Sequence, residues 1–252
     1  ANRELLYLGV SGDGDSASIG LGQFANAMRR GVNMAYIVEN NGVYGLTKGQ
    51  FSATADRGSK SKKGVTNTDS PIDLVGLALQ LGATYVARAF SGDKEQLVPL
   101  IKGAIGHGGA AFIDVISPCV AFNNHNGSTK SYDYVRQHNE SVSRIDFMTE
   151  RSEITAQYAS GEVIEVEQHD GTFLRLRKVD TSYDPSKRYE ALSYMHDHHE
   201  RGEIVTGLLY LDPLALDLHA SLNTSHMPLN SLTEKELCPG EKILSKINDS
   251  LR

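Results

Sequence analysis

Leu5-Leu6-Tyr7-Leu8-Gly9-Val10-Ser11-Gly12-Asp13-Gly14-Asp15 is the stretch on which the fold turns: a short apolar run breaks into a glycine-rich turn. The run has the length of a buried strand, and Gly and Asp are turn formers. Residues 17–30 then carry Ile19, Leu21, Phe24, Ala27 and Met28 close to helical spacing, with Arg29 and Arg30 just before Gly31. Two basic residues suit the negative end of a helix dipole, and Gly is a common helix stop. Strand, glycine turn and helix in that order bring backbone N–H groups toward an anion, a phosphate above all. Taken alone, Gly-Asp-Gly is also an ordinary turn.

Working outward, residues 34–38 read as the next strand, 85–89 as another and 110–116 as another, all short and apolar. Between them, residues 93–105 have the apolar period of a helix. Ser70-Pro71 is expected to open a further helix, with Ser70 as cap, Pro71 in the first turn and Gly82 as stop. Alternating strands and helices with connections too long for hairpins predict a doubly wound α/β fold on a mostly parallel sheet. In such a sheet ligands bind at the carboxyl ends of the strands. Segments 11–15, 40–50 and 117–119 all follow expected strands, so the fold brings them to one edge.

Residues 39–63 are polar, Gly-rich and without period, which in a compact domain marks a functional loop. Its basic run, Arg57 to Lys63, reads as solvated loop. Downstream, residues 163–179 alternate around Asp170-Gly171, a hairpin signal. Residues 186–202 read as helix, 204–211 as strand, and 234–251 as a polar helix interrupted at Pro239-Gly240. The expected organisation is an α/β domain over residues 1–150 and a C-terminal α+β appendage, containing the hairpin, over 151–252.

Composition narrows the function. The chain has 252 residues and a net charge of −6, which offers no general attraction to nucleic acid or to an anionic membrane. No apolar stretch approaches the roughly 20 residues of a membrane span, so a cytoplasmic protein is expected. Cys119 and Cys238 are the only cysteines, far apart, and form no Cys-x-x-Cys metal knuckle. His196, His198 and His199 place at most two rings on one helix face and read as polar surface.

The next strand ends in Asn40-Asn41, one crossover beyond Asp13. A carboxylate, an amide oxygen and a backbone carbonyl, completed by diphosphate oxygens and water, make the octahedral oxygen shell that Mg²⁺ prefers. Gly12-Asp13-Gly14 through Asn40-Asn41 resembles the fingerprint of thiamine-diphosphate enzymes, and Asn41-Gly-Val-Tyr-Gly-Leu-Thr-Lys-Gly-Gln50 resembles the β subunits of 2-oxoacid:ferredoxin oxidoreductases. The second stretch is the more specific, and the likeness runs from about Leu5 to Tyr134. The resemblance implies the diphosphate-binding half of a thiamine-diphosphate fold. Asp13, the Asn41 side chain and the Val43 carbonyl would hold Mg²⁺, with Gly12, Gly14, Asp15, Gly45, Leu46 and Thr47 around the diphosphate.

By the same resemblance Cys119, in Ser117-Pro118-Cys119, would be one ligand of a [4Fe–4S] cluster. Without it, Cys119 reads as a buried structural thiol. A cubane needs four thiolates, and the other three are expected outside this chain, in a Cys-containing N-terminal segment of a longer subunit. The implied activity is CoA-dependent oxidative decarboxylation of a 2-oxoacid, with electrons passing through the cluster to ferredoxin and an α subunit as partner. Leu46 would shape the substrate pocket and Lys48 attract a distal carboxylate, favouring 2-oxoglutarate over pyruvate. On residues alone, Leu46 serves equally as loop packing and Lys48 as a solvated charge. The rival enzyme reading is a non-oxidative thiamine-diphosphate decarboxylase or synthase, which shares both short motifs and needs no cluster cysteine.

Overall fold

The computed structural model describes residues 5–45, 47, 49–60, 64–117, 154–167, 173–225, 227–238 and 240–251. Five apolar segments give strands β1 (Leu8–Gly12), β2 (Met34–Asn40), β5 (Tyr85–Phe90), β6 (Ala110–Ile116) and β9 (Ile204–Leu211). The expected hairpin is β7 (Val163–Glu167) paired with β8 (Phe173–Lys178), and two short strands, β3 (Val43–Tyr44) and β4 (Gln50–Phe51), fold the loop after β2 back on itself. The main sheet runs β1-β2-β6-β5-β9-β8-β7. β1, β2, β6 and β5 are parallel to one another, whereas β9 enters antiparallel to β5 and the hairpin follows beyond it. The architecture is the mostly parallel α/β sheet expected, and the C-terminal hairpin extends that same sheet.

Strand periodicity divides the core. Alternate side chains of a strand point to opposite faces, so Val38, Val86 and Phe112 pack with α1 (Leu21–Arg30), α2 (Leu74–Leu81) and α4 (Arg188–His199). Their neighbours Ile37, Ala87 and Ile113 pack on the other face with Leu100 and Ala104 of α3 (Lys94–Gly106). Helices therefore cover both faces, as a buried parallel sheet requires. A third cluster joins Phe90 at the end of β5 to Tyr158, which precedes β7, and to Val166 and Leu176 of the hairpin.

Two helix starts differ from the sequence expectation, each for a local reason. The helix expected from residue 17 begins at Leu21, because Gly14–Ile19 forms a wider π-type turn closed by the Gly20 N–H on the Asp15 carbonyl at 2.7 Å. A Cβ at Gly20 would stand 2.7 Å from that carbonyl oxygen, so the closure needs glycine. The helix expected at Ser70-Pro71 begins at Leu74. Ile72 N–H is bonded to the Ala53 carbonyl, and the cap is the Asp73 carboxylate, which accepts from Val75 N and Gly76 N.

By contacts the chain divides into Leu6–Leu218 and a smaller unit of His219–Arg252 with Ala1–Leu5. The boundary expected near residue 150 lies outside the described residues. In the smaller unit Thr233 and Glu236 form a capping box on the turn Glu234–Leu237, and the helix Gly240–Ser250 exposes Ile243, Leu244 and Ile247. Among the described residues no helix is long and apolar enough to cross a membrane.

Leu176 of the hairpin is fully buried, opposite Ile204 of β9 and in one cluster with Phe90 of β5. Leu176→Ala is expected to cost about 2–5 kcal/mol through lost burial and the cavity left behind. Urea unfolding should show this as a lower midpoint in one transition; a separate early transition would mean that the hairpin is an independent unit.

Candidate functional site

Sheet register sets the site before any side chain does. Gly12 at the end of β1 pairs with Glu39, and Asn40 at the end of β2 pairs with Ile116 at the end of β6. The three segments that leave these strands start side by side, and the Ser117 N–H donates to the Asn40 carbonyl at 2.8 Å. Cys119, Leu46 and Lys48 lie outside the described residues.

Asp13, the first residue past β1, is 1% exposed. One of its carboxylate oxygens, Oδ2, accepts from the Gly42 N–H at 3.0 Å and from the hydroxyls of Ser52 and Thr54. The other, Oδ1, is buried with no hydrogen-bond partner among the described residues. A buried carboxylate oxygen left without a donor costs about 1–3 kcal/mol or more, unless a cation takes that place.

Asn41 holds the start of the loop. Its Oδ1 accepts from the Val43 N–H at 3.0 Å, and an amide oxygen keeps a second lone pair for another partner. The β3–β4 hairpin then returns the chain, with the Ser52 N–H on the Gly42 carbonyl at 3.0 Å. This return carries Ser52 and Thr54 onto Asp13. The Tyr44 hydroxyl donates to the Gly14 carbonyl at 3.1 Å, and a Cβ at Gly14 would stand 2.5 Å from the Tyr44 ring, so the second glycine of the motif is required by packing. Beneath the turn, Ser11, Ser16 and Tyr36 share hydroxyl hydrogen bonds of 2.5 to 2.9 Å. Gly12 and Gly45 are half-buried, Asp15 is exposed, and exposed Thr47 donates its hydroxyl to the Gln50 side chain at 2.5 Å.

These residues fit a divalent cation. A buried carboxylate oxygen with no partner among the described residues and an amide oxygen with a spare lone pair, at neighbouring strand ends, are hard oxygen donors of the kind Mg²⁺ takes.

Asn41, Gly42 and Val43 open onto a cavity of about 1140 Å³, whose wall also includes Thr54, Arg88 and Asp114. Arg88 on β5 donates from Nε to Asp114 on β6 at 2.8 Å and from Nη2 to the helix-capping Asp73 at 2.6 Å. Asn40 Nδ2 donates to the other Asp114 oxygen at 3.1 Å. Burial disfavours the Arg88 charge, but the Asp73 and Asp114 carboxylates outweigh it and raise its pKa. Burial likewise pushes the Asp114 carboxyl above the usual range, against the pull of Arg88 and Asn40.

Sequence reasoning placed Asp13 and Asn41 side by side, and missed Ser52, Thr54 and the Arg88–Asp114 pair. The pair did leave a signal, since one charge in each of the otherwise apolar runs Tyr85–Phe90 and Ala110–Ile116 is costly to bury unless it meets an opposite charge.

Residues 2–115 match the family model described as thiamine pyrophosphate enzyme, C-terminal TPP binding domain. The chain is 46% identical over 133 residues to the 2-oxoacid:ferredoxin oxidoreductase subunit beta of Saccharolobus solfataricus, covering 52% of this chain and 43% of that one. It is 39% identical over 124 residues to the 2-oxoglutarate oxidoreductase subunit KorB of Mycobacterium tuberculosis, 49% of this chain and 33% of that one. A solved 2-oxoglutarate:ferredoxin oxidoreductase from Magnetococcus marinus, with 2-oxoglutarate, coenzyme A and succinyl-CoA bound, superposes with a TM-score of 0.61 at 26% identity, covering 93% of this chain and 65% of that one. The matched part of this chain spans less than half the length of those two curated relatives.

Arg88→Met leaves Asp114 buried without its counter-charge, and is expected to cost about 3–5 kcal/mol. The double variant Arg88→Met/Asp114→Leu should recover much of that loss in urea unfolding; a double variant as unstable as the single one would mean that the ion pair is not the reason for the loss.

Proposed function

We propose, from the match of residues 2–115 to the thiamine pyrophosphate enzyme C-terminal TPP binding domain and from the likeness to a 2-oxoacid:ferredoxin oxidoreductase β subunit, that this chain supplies the diphosphate half of such an enzyme's active site. The observation that carries the reading is Asp13, buried just past the end of β1 with one carboxylate oxygen fully engaged and the other without a partner among the described residues. In this reading Asp13, the Asn41 amide oxygen and the Val43 carbonyl hold Mg²⁺. Gly12, Gly14, Asp15, Gly45, Leu46 and Thr47 surround the diphosphate that the metal clamps. Thiamine diphosphate supplies the electron sink that lets a 2-oxoacid lose CO₂.

The remaining roles are assigned to residues of this chain by the same reading. Leu46 and Lys48 face the substrate, Lys48 attracting a second carboxylate and so favouring 2-oxoglutarate over pyruvate. Cys119 gives one thiolate to a [4Fe–4S] cluster whose other three ligands come from outside these residues. The α subunit completes the site, CoA accepts the acyl group and ferredoxin the electrons, in the cytoplasm. Two relatives carry oxoglutarate in their names or bound to them, which favours the dicarboxylic substrate.

Thiamine diphosphate with Mg²⁺ is expected to raise the melting temperature of the chain, since a ligand at 100 times its Kd adds about 2.7 kcal/mol of stability. Asp13→Asn should abolish the rise. No rise in the wild type would point to a scaffold that has kept the fold without the cofactor.

In the complex with its α subunit, ferredoxin or viologen reduction should proceed faster with 2-oxoglutarate than with pyruvate. Lys48→Ala is expected to shrink that preference by about tenfold, the factor that 1.4 kcal/mol of lost carboxylate attraction represents. An unchanged ratio of kcat/KM for the two acids would remove Lys48 from the substrate pocket.

A further inference from the structure

We propose that the hydroxyls of Ser52 and Thr54 are a clamp on Asp13 that sets which metal ion the site prefers, an inference that rests on the cofactor reading above. Both hydroxyls, together with the Gly42 N–H, converge on the same oxygen, Oδ2. None of the described donors reaches Oδ1, although that atom is equally buried. The two oxygens of one carboxylate are therefore unequal before any ligand arrives: one is committed to protein donors and one is open.

This inequality has a chemical consequence. A carboxylate can meet a metal through one oxygen or through both. Mg²⁺ demands near-octahedral geometry at about 2.0–2.1 Å and suits one oxygen per carboxylate, whereas Ca²⁺, with six to eight ligands at about 2.3–2.6 Å, readily takes both. With three donors on Oδ2, turning Asp13 to present both oxygens would break charge-assisted hydrogen bonds, which are among the stronger ones. The clamp thus holds Asp13 to single-oxygen ligation.

The clamp is itself held. The Ser52 Oγ and Thr54 Oγ1 lie 2.9 Å apart, and the Thr54 N–H donates to the Ser52 Oγ at 3.3 Å. Ser52 is 6% exposed, and its own N–H is fixed on the Gly42 carbonyl. The two hydroxyls therefore reach Asp13 as one unit, delivered by the β3–β4 hairpin. Ser52 and Thr54 are positioning residues in this account, acting on metal and cofactor only through Asp13.

The test uses the native complex stripped of metal and cofactor, with Mg²⁺ and Ca²⁺ titrated separately by calorimetry in saturating thiamine diphosphate. The variants are Ser52→Ala/Thr54→Val, which removes both hydroxyls, and Thr54→Ser, which keeps them. Losing outer partners of a metal ligand typically weakens metal affinity about 10–100-fold. The double variant is expected to lose that much for Mg²⁺ and clearly less for Ca²⁺, moving the Mg²⁺/Ca²⁺ affinity ratio about tenfold toward Ca²⁺, while Thr54→Ser keeps the wild-type ratio. Equal weakening for both ions, or no weakening, overturns the clamp and leaves the cofactor reading standing. A wild type that binds thiamine diphosphate with neither ion overturns the cofactor reading as well. Should the double variant fail to fold, Thr54→Val alone carries the same comparison, with a smaller change in ratio expected and an unchanged ratio overturning the clamp.

Discussion

A carboxylate removed from water must be given back the interactions that water supplied. Asp13 is 1% exposed, and half of that compensation comes from protein: a backbone N–H and two hydroxyls on a single oxygen. The second oxygen has no described donor. A fold that buries such a group must either tolerate the cost or complete it with a cation, and the rest of the site is arranged around that choice. The turn after β1 places the carboxylate, the loop after β2 supplies its donors, and the hairpin within that loop aims them.

The loop can do this because it is anchored at both ends and in the middle. Asn41 and the Val43 N–H close its start, the Gly42 carbonyl receives the Ser52 N–H across the hairpin, and Ile72 is tied back to Ala53. Tyr44 crosses to the Gly14 carbonyl and fills the space a side chain at Gly14 would need. The glycine motif and the loop are therefore one packed object, although 30 residues separate Gly14 from Tyr44.

How much of this could be read from the chain follows from the range of the forces involved. Strands β1, β2, β5, β6 and β9 and the hairpin declare themselves through apolar runs and alternation, which are local signals. The placing of Asp13 beside Asn41 follows from two strand ends and one crossover. Ser52 and Thr54 were not legible, because surface loops are rich in hydroxyls and nothing in Phe51-Ser52-Ala53-Thr54 marks a carboxylate 39 residues earlier as their partner. The start of α2 differs from the local signal for a similar reason. Ser70-Pro71 has the local chemistry of a helix opening, but a bond from Ile72 to Ala53 holds the chain extended until Asp73 can cap it.

Asn40 and Asn41 show how one residue type is given two duties by strand geometry. Asn40 is the last residue of β2, in register with Ile116, and its amide turns to Asp114 and so joins the charge network of Arg88 and Asp73. Asn41 has left the strand, and its amide oxygen serves the loop. One peptide bond separates an amide that stitches β2 to β6 from an amide that holds the loop. Because a buried, paired Arg–Asp network has little freedom to shift without exposing an uncompensated charge, the carbonyl of Asn40 and the amide of Ser117 are held at a fixed edge. The position of Asn41, and through Gly42 the position of a donor to Asp13, is inherited from that edge. Charges inside the sheet thus fix the geometry of oxygens outside it, which is why two strands built almost wholly from apolar residues each keep a single ion.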